Sequence, residues 1–238
     1  MTYGSFPPWL DRAAIASLGI AVVCASVIAL DETRRPQRMG IMYLVWPLTA
    51  LFGSVLWLAA YFAWGRGARD ASRTVPREPP FAAMVFKGAS HCGAGCALGD
   101  LIAEWTAFAV PSIALGLGWH TLFADRMFAV WILDFIVAFV LGVVFQYFTI
   151  KPMRDLSVAG GVIAAVKADL ASIAAWQAGM YGVMAIVQFV WFARAYGGVA
   201  PVTSAAFWFA MQLAMLGGFV TSFPVNAWLI RAGVKERM

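Results

Sequence analysis

The chain has 238 residues, of which 62% are hydrophobic and 12% charged, with a net charge of +5 and a mean hydropathy of +0.79. A soluble domain could not cover that much apolar side chain with polar surface, so the composition excludes a soluble globular protein and points to the bilayer. The strict apolar–polar alternation of a barrel is missing, which leaves an all-α integral membrane protein.

Six apolar stretches reach the ~20 residues that a bilayer core requires: 13–30, 40–64, 88–117, 127–150, 170–193 and 203–230. Six transmembrane helices are therefore expected. The first two form a hairpin over residues 1–65. The first does not read as a cleaved signal, because Arg12 is offset by Asp11 and no small-x-small site follows. Cys24 stands alone in it and reads as a small buried apolar residue. Asp31 and Glu32, followed by Arg34 and Arg35, read as an interfacial charge cluster.

Residues 66–87 begin "RGARDASRTVPREPP" and are expected to be a basic cytoplasmic linker. A four-helix membrane domain, 88–238, follows. With six crossings, Arg34, Arg35, Arg38, Arg126 and Arg194 fall on one side, and the other twelve of the 17 basic residues fall on the opposite side. The positive-inside rule then places both termini in the cytoplasm. The net charge is a topology and lipid-surface signal, and no nucleic-acid partner is expected.

The third stretch carries the densest chemistry. In "SHCGAGCALGDLIAEW", Cys92, Cys96, Asp100 and Glu104 recur every four residues, so they share one broad helix face. His91 lies ~100° to one side of Cys92. Gly95 and Gly99 make a G-x-x-x-G pair that admits a neighbouring backbone, and Gly93 with Gly95 permits local unwinding. In the antiparallel fourth helix, Asp134 comes level with Glu104, and Gln146 level with Cys92. Asn226 reaches that level from the sixth. Carboxylates at mid-membrane are costly, by ~2.5–3.5 kcal/mol on the lenient scale. Asp100, Glu104 and Asp134 therefore read as an ion or proton path in which neighbouring acids share a proton.

Residues 151–169 contain apolar positions among basic ones and are expected to form a short interfacial helix. Trp119, Trp131, Trp191 and Tyr196 fit an outer aromatic belt. Pro224 interrupts the last helix near Asn226. No internal repeat is visible.

Thiolate and imidazole at His91, Cys92 and Cys96 suit Cu(I) or Zn(II). One regular helix cannot converge all three, so further ligands or lining are sought at Gln146, Asn226 and the i,i+4 pairs Met180/Met184 and Met211/Met215. A Cys92–Cys96 disulfide is disfavoured within a helix, where the Cβ atoms lie ~5–6 Å apart. The only other histidine, His120, is too far along for the pair to clamp a haem. No nucleotide fingerprint is present, so neither haem nor nucleotide is expected.

The segments "HCGAGCALGDLIAEW", "VKADLASIAAWQAGMYGVMA" and "MLGGFVTSFPVNAWLIRAGVKERM" resemble a family of bacterial and archaeal integral membrane proteins classed as a domain of unknown function. The resemblance runs from Phe81 to Met238. It departs at Phe223, where that pattern often has a tyrosine, which removes a hydroxyl. The resemblance implies a membrane domain centred on the His-Cys helix, in a bacterial inner membrane, with a nearness to copper-handling proteins and no established activity. The expectation is a protein that binds or moves a soft metal ion, foremost Cu(I). Two rivals are a thiol- or quinone-linked redox enzyme with Cys92 as nucleophile, and an accessory subunit of a larger membrane complex or homo-oligomer.

Overall fold

The computed structural model describes residues 3–37, 39–67, 79–151 and 154–236. Its elements are α1 (Pro8–Glu32), α2 (Met42–Ala60) running into a π-turn (Tyr61–Gly65), α3 (Phe81–Ala109), a short α4 (Ser112–Gly116), α5 (Arg126–Ile150), α6 (Val158–Ala185), which continues through a π-segment (Ile186–Phe192) into α7 (Ala193–Tyr196), and α8 (Ala205–Arg231). Local sequence fixes several starts. Pro8 opens α1, where a missing N–H costs nothing. Asp125, Ser157 and Ser204 cap α5, α6 and α8 by accepting from the amides of Met127, Gly160 and Phe207. Among the described residues, five helical runs are by length and composition apolar enough to cross a membrane: α1, α2 with its π-turn, α5, α6 through α7, and α8. Exposed Ile15, Val22, Ile136, Val140 and Val220 give them the apolar exterior that lipid requires. The chain is an all-helical, multi-pass membrane protein.

The second run differs from the sequence expectation. Ser54 takes φ 49° and ψ −129°, which breaks the helix. Trp46 meets Tyr61 edge-on with ring centroids 5.6 Å apart, and a Cβ on Gly65 would sit 2.2 Å from a Trp46 ring carbon. In a straight helix, residues 46 and 65 would lie ~28 Å apart. The chain therefore doubles back at Ser54, and each arm, about 12 residues or ~18 Å long, is too short to cross a ~30 Å core. The carbonyl of Leu51, freed at the break, accepts from Gln212 Nε2 at 2.8 Å. Irregular backbone at membrane depth persists where protein satisfies it in this way.

This re-entrant hairpin changes the register of everything around it. Arg66 and Asp31, assigned to opposite faces by six crossings, form a two-point ion pair at 2.6 and 2.9 Å, which Tyr61 joins. At the other end of the bundle, Gly4 and Ser5 bond the carbonyls of Val199 and Tyr196, in the α7–α8 connection. The two described chain ends thus lie at opposite ends of the bundle, where the sequence suggested one shared side. A hairpin stands between α1 and α3, where the sequence suggested a full crossing. The expected separate interfacial helix over 151–169 is instead the first turns of the long α6. Of the expected 66–87 linker, residues 68–78 lie outside the described residues.

Small residues set the spacing at the centre. A Cβ on Gly99 would fall 2.7 Å from Ala138 Cα, and one on Gly95 would fall 3.0 Å from Gly142 Cα, so α3 and α5 touch backbone to backbone. All residues from Gly88 to Ala97 are buried. That close fit puts the third helix's polar face inside the bundle.

Candidate functional site

At the end of the bundle that holds the described C-terminal residues, three charged or polarisable groups converge. Cys92 Sγ donates to Asp169 Oδ1 at 3.2 Å. Lys235 Nζ lies 2.8 Å from the same oxygen and 3.0 Å from the sulfur. Lys235 and Asp169 side chains are fully buried. A turn aims the lysine. After α8, Gly233 adopts φ 71°, its amide bonds Ile230 O, and the Val234 amide bonds Leu229 O. This left-handed cap reverses the chain and folds Lys235 under the bundle beside Gly88. Burial pulls the Lys235 ammonium down, but Asp169 and Cys92 outweigh it and hold its pKa above the ordinary lysine value. The pairing is then complete below that ordinary value of 10.5 and is lost only as pH rises through the higher folded value.

His91 turns away from this cluster. Its Nε2 lies 2.8 Å from Thr149 Oγ1 on α5, its ring meets Phe145 edge-on, and its Nδ1 has no partner. Cys92 faces α6 while His91 faces α5, as their ~100° separation dictates. Cys96 lies one turn above Cys92, buried and unoxidised, as are Cys24 and Cys92. Gln146 on α5 is buried with neither amide atom bonded. Asn226 is consumed structurally, accepting from Ser172 at 3.1 Å and donating to Ser222 O at 2.9 Å, which ties α6 to α8 across the Pro224 turn.

One and two turns farther along α3, Asp100 and Glu104 are buried, and Asp134 faces them from α5 within electrostatic range of both. Neither oxygen of Asp100 or Asp134 has a hydrogen-bond partner, nor does Glu104 Oε1. Tyr181 closes the cluster from α6, its hydroxyl donating to Trp131 O. Glu104 also forms the floor of a cavity of about 510 Å³ at the far end of the bundle, whose rim carries His120, Asp125 and Arg126. Arg126 points two unpartnered nitrogens inward and attracts Glu104.

The sequence-derived residues are therefore partly united. Asp100, Glu104 and Asp134 share one cluster; Cys92 and Cys96 continue the same face of α3; His91 and Asn226 leave it. Met180, Met184, Met211 and Met215 all pack in the main apolar core, and the last two also line a crevice that reaches Asp100. Among the described residues, no three of His, Cys, Asp and Glu converge into a metal-ligating group. Sequence reasoning missed Asp169 and Lys235, read there as loop flank and topology charge, and Arg126, read as an outer-loop charge. A signal for Asp169 existed: it falls on the stripe Asp169, Ser172, Ile173, Trp176, Met180, whose spacing is that of a buried helix face.

The chain belongs to the family of the domain of unknown function DUF4396, whose model matches residues 83–235. That match takes in α3, α5, α6, α8 and Lys235, and it leaves α1 and the re-entrant hairpin outside. Neither a curated protein nor a solved structure matches the chain.

Proposed function

We propose that this protein carries a cation across the membrane along the polar face of α3, with protons handed between Glu104, Asp134 and Asp100. One observation carries the reading: unpartnered buried acids run from the floor of the cavity at Glu104 toward Cys92, Asp169 and Lys235 at the other end. Ionisable residues inside a membrane bundle are costly and characteristically mark ion or proton pathways. Basic residues orient it. Among the described residues, Arg34, Arg35, Arg66, Lys87, Lys151, Arg154, Lys167, Arg231 and Lys235 lie toward the Lys235 end, against Arg12, Arg126 and Arg194 at the other. The positive-inside rule makes the Lys235 end cytoplasmic and the cavity external. The protein then has five crossings and one re-entrant hairpin, in a cytoplasmic membrane.

In this account Arg126 draws negative charge onto Glu104, while protons relay inward through carboxyls. The Lys235 ammonium closes the inner end. It sits where sulfur and carboxylate together would hold a cation, so its withdrawal would expose that position. A second reading rests on this last geometry. A soft ion, Cu(I) before Zn(II), replaces the ammonium at Cys92 and Cys96, because thiolates prefer such ions.

Proton flux into vesicles under an imposed pH gradient tests the reading. The wild-type protein should dissipate the gradient, while Glu104→Gln and Asp134→Asn should fall to the leak of protein-free vesicles. Equal flux in all three would overturn it. Elemental analysis after anaerobic loading with Cu(I) or Zn(II), with Cys92→Ser/Cys96→Ser alongside, decides the second reading. Bound metal that vanishes in the double variant supports it, and no metal in either protein removes it.

A further inference from the structure

A crevice of about 200 Å³ lies between α1, the hairpin tip, α3 and α8, on the opposite side of α3 from the α5 contact. Its walls are almost wholly apolar, with Phe52 and Trp208 as aromatic faces and Met211 and Met215 as polarisable ones. Val22, at its edge, is 55% exposed on the lipid-facing surface of the bundle, and Leu18 beside it is half-buried. The crevice therefore opens sideways into the bilayer. Its one ionisable group is Asp100, 1% exposed, with both carboxyl oxygens unpartnered. Gln212, the other polar wall, is already committed to Ser17 and to Leu51 O.

These features select an occupant. A dry apolar cavity of ~150 Å³ accepts benzene, so this one accepts a single substituted ring and not a fused ring system. The apolar lining rejects hydrated ions and water-soluble solutes. An acyl chain would fill the space and leave Asp100 unsatisfied, which in a buried site forfeits about 1–3 kcal/mol. A ring bearing oxygen hydrogen-bonding groups satisfies it, lies between the aromatic walls, and can leave its apolar tail in the lipid through the mouth beside Val22. We infer that the crevice is a binding site for a prenylated quinone or quinol, its ring oxygen hydrogen-bonded to the Asp100 carboxyl. Only binding is inferred. The site shares Asp100 with the proposed proton path, but its other walls lie on the side of α3 toward α1 and α8.

The test is equilibrium titration of decylubiquinone into the full chain in lipid nanodiscs, read by quenching of Trp208 emission against a Trp208→Phe control. Saturable, one-to-one binding is expected. Asp100→Ala, which keeps the ring space, should weaken it by roughly 10- to 100-fold, the loss of one hydrogen bond to an ionisable group. Ala97→Leu, in the α3 wall of the crevice one turn before Asp100, fills the ring space while keeping the acid and should abolish it. Decanol, a tail without a ring, should not compete. Absence of saturable binding, or binding indifferent to Asp100→Ala and displaced equally by decanol, would overturn the inference and leave an acyl-chain crevice. Proton flux in Ala97→Leu separates the two proposals, since that variant is expected to conduct as wild type does.

Discussion

Replacing Asp169 by asparagine should lower the thermal unfolding midpoint of the detergent-purified protein by roughly 6–20 °C. The substitution barely changes shape. It leaves the Lys235 ammonium fully buried, 2.8 Å from an amide oxygen where a carboxylate had been. Breaking one half of a buried ion pair strands the other charge, which destabilises by about 3–5 kcal/mol. The lysine has one route of relief: the turn at Gly233 can open and swing the C-terminal segment into water. The variant should then release the tail, and Lys235 should become reactive to an amine reagent that the wild-type protein excludes. Asp169→Leu/Lys235→Met removes both charges and should regain most of the stability, because an apolar pair of similar volume often equals a buried ion pair. A single substitution as harmless as the double one would show that the pair is not closed in the membrane protein.

The second large effect is steric. Gly99→Leu should destabilise by more than the ~1–3 kcal/mol typical of overpacking, because the contact it meets is backbone. A Cβ there lies 2.7 Å from Ala138 Cα and 2.8 Å from Ala138 N, and neither atom can rotate away. α3 and α5 must part, and Asp134 then moves off Glu104 and Asp100. Proton flux should fall together with stability, as measured by denaturation midpoint and vesicle assay on the same sample. Gly182→Ala is the matched control. A methyl at Gly182 meets nothing within 4 Å, and relief of glycine's backbone freedom should stabilise by up to ~1 kcal/mol.

Much of the carboxylate cluster was legible in the sequence, for a simple reason. The four-residue spacing from Cys92 to Glu104 fixes one helix face, and Gly95 with Gly99 marks which neighbour lies closest. Counting depth along antiparallel helices brought Asp134 to the same level. The inner cluster was less legible. Lys235 reaches Cys92 only through the reversal at Gly233, and a positive-φ turn beyond a helix end leaves no periodic trace. Its charge was absorbed by topology counting, where it is one basic residue among many.

The re-entrant hairpin escaped for a different reason. Hydropathy measures how apolar 24 residues are, and these qualify. It is blind to direction. Gly53 and Ser54 permit the reversal, but tertiary contacts select it: Trp46 against Gly65, Phe52 against Trp57 and Trp176, and Gln212 on the Leu51 carbonyl. Counting the hairpin as a crossing changes the expected direction of α1 alone, because every later helix keeps its own.

In the proposed mechanism the buried acids of α3 and α5 exchange protons with solvent as a connected path rather than sitting as dry, sealed packing. Infrared spectroscopy of the carboxyl C=O bands after transfer of the membrane-reconstituted protein into D2O measures this directly, with Asp134→Asn to assign the band. Prompt deuteration of the Asp134 band, lost in Asp134→Asn and slowed in Glu104→Gln, is the predicted result. A carboxyl band that stays protiated as long as the core amides of α3 and α5 do would contradict the account and leave these acids a structural role alone.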